Sequence, residues 1–187
     1  MAAELANWAS LRGMAKTRES TARAPKRLGA GTLRWMMRCY PPLAFAGVRW
    51  RAVSPSCESA RVDVVKGLRN RNINGTVFGG ALTAAVDPVM ALLLWQAIAR
   101  RGRHVEAWTV NLDVAFLRAA RTDVRFDFAI APGELDAILS ELDVCGRSHR
   151  VHQVQGVDRD GAVCVRVEIA TLVRDPARLA ALAEASD

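Results

Sequence analysis

Residues 79–98 read Gly-Gly-Ala-Leu-Thr-Ala-Ala-Val-Asp-Pro-Val-Met-Ala-Leu-Leu-Leu-Trp-Gln-Ala-Ile, and no other stretch limits the fold as strongly. A helix of this composition is apolar on nearly every side. It is therefore either enclosed by the rest of the protein or set in a bilayer, which ~20 such residues suffice to cross. Asp87 and Pro88 stand at its centre. An unpaired carboxylate is costly in lipid, so the run is expected to be a core helix wrapped by a curved sheet, with no membrane span.

The strands such a sheet requires are visible as period-two alternation. Val48, Trp50 and Ala52 alternate with Arg49 and Arg51, and Ala60, Val62 and Val64 with Arg61 and Asp63. Trp108, Val110, Leu112, Val114 and Phe116 alternate with Thr109, Asn111 and Asp113, and Val124, Phe126, Phe128 and Ile130 with Asp123, Arg125 and Asp127. A weaker strand covers about 149–157, and Val163 to Thr171 alternates again after an Asp160-Gly161 turn signal. The pattern predicts an α+β fold with six antiparallel strands, each wet on one face. Short helices are expected at 32–39, stopped by Pro41-Pro42, and at 134–142.

With 187 residues the chain suits one domain, and 51% hydrophobic against 24% charged residues is globular composition. The net charge of +7 invites a nucleic-acid reading, but its placement weakens it. Residues 1–50 hold nine basic and two acidic side chains, whereas the other 137 residues hold 17 of each. The expected organisation is a basic, weakly ordered extension over 1–38, a main domain over 39–175 and a short tail or helix over 176–187. No nucleic-acid partner is expected. Cys39, Cys57, Cys145 and Cys164 form no CxxC pair, which argues for reduced thiols in a cytoplasmic protein. His149 and His152 point to opposite faces of a strand and make ordinary strand histidines. No metal or cofactor is implied.

The chemistry is concentrated just ahead of the helix. Asn72-Ile73-Asn74-Gly75-Thr76-Val77-Phe78-Gly79-Gly80 leads directly into it. Two glycines at a helix start leave unbonded amides open to close approach by a ligand oxygen. Gly80, Thr83 and Asp87 share one helical stripe. Asp87 is expected to be a buried acid, and a buried acid needs a reason. Together these are the parts of an oxyanion hole and a general base or nucleophile, as hydrolysis of an activated acyl group requires. Seven residues at 1.5 Å each separate them by about 10 Å. One carbonyl cannot touch both in the same chain, so the two parts are expected to meet across a dimer interface. The Arg100-Arg101-Gly102-Arg103 cluster is expected to favour the helix C-terminus by its charge, with binding of a coenzyme's phosphates as the secondary reading.

The string Asn-x-x-Gly-x-x-x-Gly-Gly followed seven residues later by Asp resembles the motif of hotdog-fold thioesterases of the phenylacetate-pathway type. Arg69-Asn70-Arg71-Asn72, Gly75 to Ala81 and Asp87-Pro88 resemble an uncharacterised hotdog branch with an FGG…DP signature. The similarity runs from about residue 41 to 175. It implies a six-stranded sheet around a long helix, a homodimer or homotetramer, and an acyl-CoA-like substrate. It further implies that the Gly79 amide polarises the thioester carbonyl, with Asp87 supplied by the partner subunit and Asn72 as the upstream asparagine. Gly80, Phe78 and Thr83 are then the expected substrate contacts. Phe78 stands where those thioesterases usually carry histidine, which motivates the alternative of a non-catalytic module that binds an acyl group or acyl thioester.

Overall fold

The computed structural model describes residues 25–185. Its elements are α1 (Ala30–Cys39), α2 (Pro41–Phe45), β1 (Val48–Val53), β2 (Ser59–Val64), a 3-10 turn (Leu68–Asn70), α3 (Gly79–Val86), α4 (Val89–Arg100), β3 (Glu106–Phe116), β4 (Val124–Ala129), α5 (Glu134–Cys145), β5 (Arg147–Val157), β6 (Val163–Arg174) and α6 (Pro176–Glu184). All six strands form one antiparallel sheet in the order β1-β2-β4-β5-β6-β3.

The apolar run lies against this sheet as α3 and α4. Met90, Leu93, Leu94 and Ile98 are at most 1% exposed and meet Trp50, Phe126 and Ile169 from the strands. Burying each such side chain is worth about 1.5–3 kcal/mol. The combined helix, Gly79–Arg100, is long and apolar enough to cross a membrane, yet 67% of its most apolar window is buried within the fold. The core accounts for its apolarity.

Pro88 divides the rod. It carries no amide proton, so α3 ends at Val86 and α4 resumes at Val89. The Asp87 amide still donates to the Thr83 carbonyl and the Leu92 amide to the Pro88 carbonyl, so the two helices continue one another. Pro41 and Pro42 likewise do more than stop α1: they occupy the first turn of α2, where a missing amide costs nothing.

Two strands depart from strict alternation. A bulge between Trp50 and Ala52 leaves Ala52 exposed and turns Val53 toward the core. A second bulge, between Thr109 and Asn111, puts Trp108 opposite Leu172, while Leu112 and Val114 face Ile169 and Val167 on the core side. Trp108 is therefore 42% exposed, with the Arg174 guanidinium 5.7 Å above its ring, and is no core residue.

The domain begins earlier than residue 39. Leu33 of α1 is buried, and Gln96 in α4, wholly buried, accepts from the Leu28 amide and donates to the Lys26 carbonyl. Arg100 donates to the Leu28 carbonyl and Arg27 to the Ala99 carbonyl. Of the extension expected over residues 1–38, residues 1–24 lie outside the described residues.

His149 is exposed on one face of β5. His152, on the other, meets Glu134 of α5 at 2.8 Å. No group of three or more potential metal ligands occurs among the described residues.

Candidate active site

The segment before α3 is a tight loop governed by two asparagines. Asn72 accepts at Oδ1 from the Asn74 and Thr76 amides and donates from Nδ2 to Thr76 Oγ1. It shapes the turn that Gly75, at φ +73°, completes. The side-chain bonds of the turn thus belong to Asn72, whose carboxamide is directed into its own loop.

Asn70, 4% exposed, is the residue the motif reading passed over. Its Oδ1 accepts from the Gly67 amide and its Nδ2 donates to the Ala46 and Val65 carbonyls. Its main-chain carbonyl accepts from the Phe78 amide at 2.7 Å, and the Val77 amide donates to the Ala120 carbonyl. These bonds fix the approach to α3. Gly47 is required here, because at φ +78° a Cβ would collide with the Asn70 carboxamide.

Phe78 is the N-cap of α3 in extended conformation, with no side-chain cap. The amides of Gly79 and Gly80 have no acceptor among the described residues, whereas those of Ala81 and Leu82 bond back to the Phe78 carbonyl. Two aromatic rings overhang this end. A Cβ on Gly79 would lie 3.0 Å from Phe116 Cζ, and one on Gly80 would run into the Phe78 ring. The glycines therefore leave room for two aromatic rings, one of them from the last residue of β3. Phe78 and Phe116 remain 57% and 55% exposed, so the unbonded amides lie in an apolar, open-sided recess. The helix start gives them positive character.

Asp87 is not buried. It lies on the exposed stripe of the helix with Gly80, and the partly buried Thr83 lies between them. Thr83 Oγ1 donates to the Gly79 carbonyl and Thr109 Oγ1 to the Asp87 carbonyl, so the break at Pro88 is pinned to β3. The Asp87 carboxylate has no hydrogen-bond or ion-pair partner among the described residues and borders an apolar cleft of about 450 Å³. Met37, Tyr40, Pro88, Leu92 and Trp108 line it. Tyr40 and Trp108 escaped the sequence reading because one precedes the prolines and the other is turned by a bulge.

Strand β3 forms the free edge of the sheet beside this cleft. Ten of its eleven residues pair, on one side only, with β6.

A family model described as a domain of unknown function, DUF4442, matches residues 30–173. No curated protein sequence matches the chain. Among solved structures, a Pseudomonas aeruginosa protein of unknown function is similar over 80% of this chain and 98% of its own, at 18% identity and a TM-score of 0.65. A Haemophilus influenzae thioesterase is similar over 82% and 95%, at 14% identity and a TM-score of 0.61. Zebrafish thioesterase superfamily member 2 is similar over 76% and 96%, at 14% identity and a TM-score of 0.55. At these identities the likeness establishes the architecture, which is the hotdog fold, and the chain belongs to the DUF4442 family.

Proposed function

We propose that the protein hydrolyses acyl thioesters, of acyl-CoA or a similar carrier, in a site shared by two subunits. The observation that carries this reading is the helix start, where two adjacent amides without acceptors lie under aromatic rings. Solved structures of the same fold that are called thioesterases support the reaction class.

The Gly79 amide, with that of Gly80 beside it, donates to the carbonyl oxygen and stabilises the negative charge that develops on it. Asp87 of the other subunit removes a proton from water as its oxygen bonds to the carbonyl carbon, or attacks that carbon directly. On the first route the C–S bond then breaks and the proton held by Asp87 passes to the leaving sulfur, giving thiol and carboxylic acid. On the second the sulfur leaves as thiolate and takes a proton from water, and water then cleaves the acyl–Asp87 anhydride to free the acid. Along one chain the helix separates the Gly79 amide from Asp87 by about 12 Å, more than one carbonyl spans. The free edge of β3, beside Asp87, supplies a surface for pairing with a second copy.

Release of free thiol from a panel of acyl thioesters tests the reading, with wild type and Asp87→Asn assayed side by side. The expected result is turnover by the wild type and a loss of at least about 100-fold in the variant. No turnover on any substrate, or equal turnover by both proteins, rejects it.

The Phe78 ring over Gly80 favours a second reading, a module that binds an acyl thioester without cleaving it. It predicts thermal stabilisation by the ligand with no thiol release.

A further inference from the structure

The 17-to-17 balance of charges beyond residue 50 hides a strong asymmetry. Two loops flank the start of α3. One is the 65–78 loop that feeds the helix, and the other is the 117–123 loop after β3. Main-chain bonds stitch them together: Val77 donates to the Ala120 carbonyl, and Lys66 Nζ to the Arg121 carbonyl. Between them they carry Lys66, Arg69, Arg71, Arg118 and Arg121 against one acid, Asp123.

That acid is already engaged, accepting from the Lys66 amide and pairing with Arg159 at 2.8 Å. Arg118 lies 3.9 Å from Asp158. Arg69, Arg71 and Arg121 are exposed and have no carboxylate within ion-pair distance among the described residues. Arg69 is positioned without being neutralised, its guanidinium 5.6 Å over the Phe45 ring. The cluster at the opposite end of the helix differs. Arg100 is bound to the Gln96 and Leu28 carbonyls, Arg101 to Asp136, and Arg103 to Asp143 and Asp175. Those arginines hold the fold together and leave no free cation for a ligand.

We infer that Arg69, Arg71 and Arg121 form a rim that binds the phosphate groups of a nucleotide-bearing thioester, coenzyme A being the carrier of that chemistry. This rests on the thioester reading of the adjoining helix start. Guanidinium groups suit phosphate because their planar fork donates two parallel hydrogen bonds, and three of them match the several phosphates of such a carrier. A free small carrier also needs anchoring of this kind, since its reacting sulfur is far from its charged end.

The test compares an acyl-coenzyme A with the same acyl group on N-acetylcysteamine, which keeps the thioester and lacks every phosphate. The ratio of the two kcat/KM values is measured for wild type and for the triple variant Arg69→Gln, Arg71→Gln, Arg121→Gln. Arg166→Gln, on the outer face of β6, is the control for a general loss of positive charge. The triple variant is expected to lower the ratio about tenfold or more, mainly through KM, and to flatten the dependence of KM on salt. Arg166→Gln is expected to leave it unchanged. An unchanged ratio in the triple variant overturns the rim, as does a loss confined to acyl groups presented on an acidic carrier protein. If neither thioester is hydrolysed by the wild type, hydrolysis fails as a reading. The rim is then tested alone by calorimetric titration with desulfo-coenzyme A. Affinity weakened about tenfold in the triple variant supports it, and equal affinity or no binding to the wild type rejects it.

Discussion

The ring of Phe78 lies on Gly80, closely enough that the glycine's missing side chain is the space the ring fills. The two residues therefore set together how open the start of α3 is. Alanine at Gly80 gains about 1 kcal/mol of helix propensity and displaces an exposed ring that is free to rotate. Gly80→Ala is expected to change stability by less than about 1 kcal/mol while lowering turnover, because the ring then moves across the amides. Phe78→Ala in the same chain should restore turnover. A thermal melt and a double-mutant cycle on kcat/KM check this, and additive losses contradict it.

A site split between subunits makes a prediction that an intra-chain site does not. Gly79→Val forces a side chain into the Phe116 ring and should inactivate the amide end, whereas Asp87→Asn inactivates the acid end. Each chain alone is expected to be inactive. A heterodimer of the two contains one site with both parts intact. Refolding the two together in equal amounts should recover about a quarter of wild-type activity. Failure to recover activity, with mixed dimers demonstrated by mass, contradicts a shared site.

Asn70 is the polar keystone behind the site. Asn70→Ala leaves the Gly67 amide and the Ala46 and Val65 carbonyls without their partner in a buried position. A loss of about 2–4 kcal/mol in unfolding free energy is expected, seen as a lower urea midpoint.

Glu141 links α5 to β5, accepting from Ser148 Oγ and pairing with Arg150 at 2.7 Å. The serine hydroxyl first, and then the guanidinium, hold its carboxyl below the usual 4.5. A depressed folded-state value stabilises the protein above the ordinary glutamate range, and that contribution is lost as pH falls through the folded value. Wild type should melt above Glu141→Gln at pH 7, and the difference should shrink toward zero near pH 3. A difference that persists there contradicts the assignment.

The cysteines divide by burial. Cys39 and Cys145 are exposed, whereas desolvation raises the pKa of the Cys57 and Cys164 thiols above 9.0. Reaction with a thiol reagent at pH 8 should show two fast groups, with the other two reacting only on unfolding.

How far the sequence reveals the fold depends on which signals survive in side-chain identity. Val124, Phe126 and Phe128 alternate without fault and are buried in β4 as the pattern requires. Bulges leave no such mark. The extra residues at Arg51 and Val110 are ordinary strand formers, so strict alternation puts Ala52 and Trp108 on the wrong face. The exposure of Asp87 is hidden for another reason. A helix apolar all round gives no hint of which stripe the sheet leaves open, and the uncovered stripe is the one carrying the acid. Asn72 and Asn74 are chemically alike, and only the direction of the turn assigns the side-chain bonds to Asn72. The basic rim was hidden by summation, since a net charge carries no position.

The seal at Gln96 makes the N-terminal limit of the domain a matter of hydrogen bonding rather than composition. Its carboxamide has no water to turn to if the strip at Lys26 to Leu28 is cut away. A cut that removes that strip should therefore be abruptly destabilising, a step where the loss of a loosely held segment would give a slope.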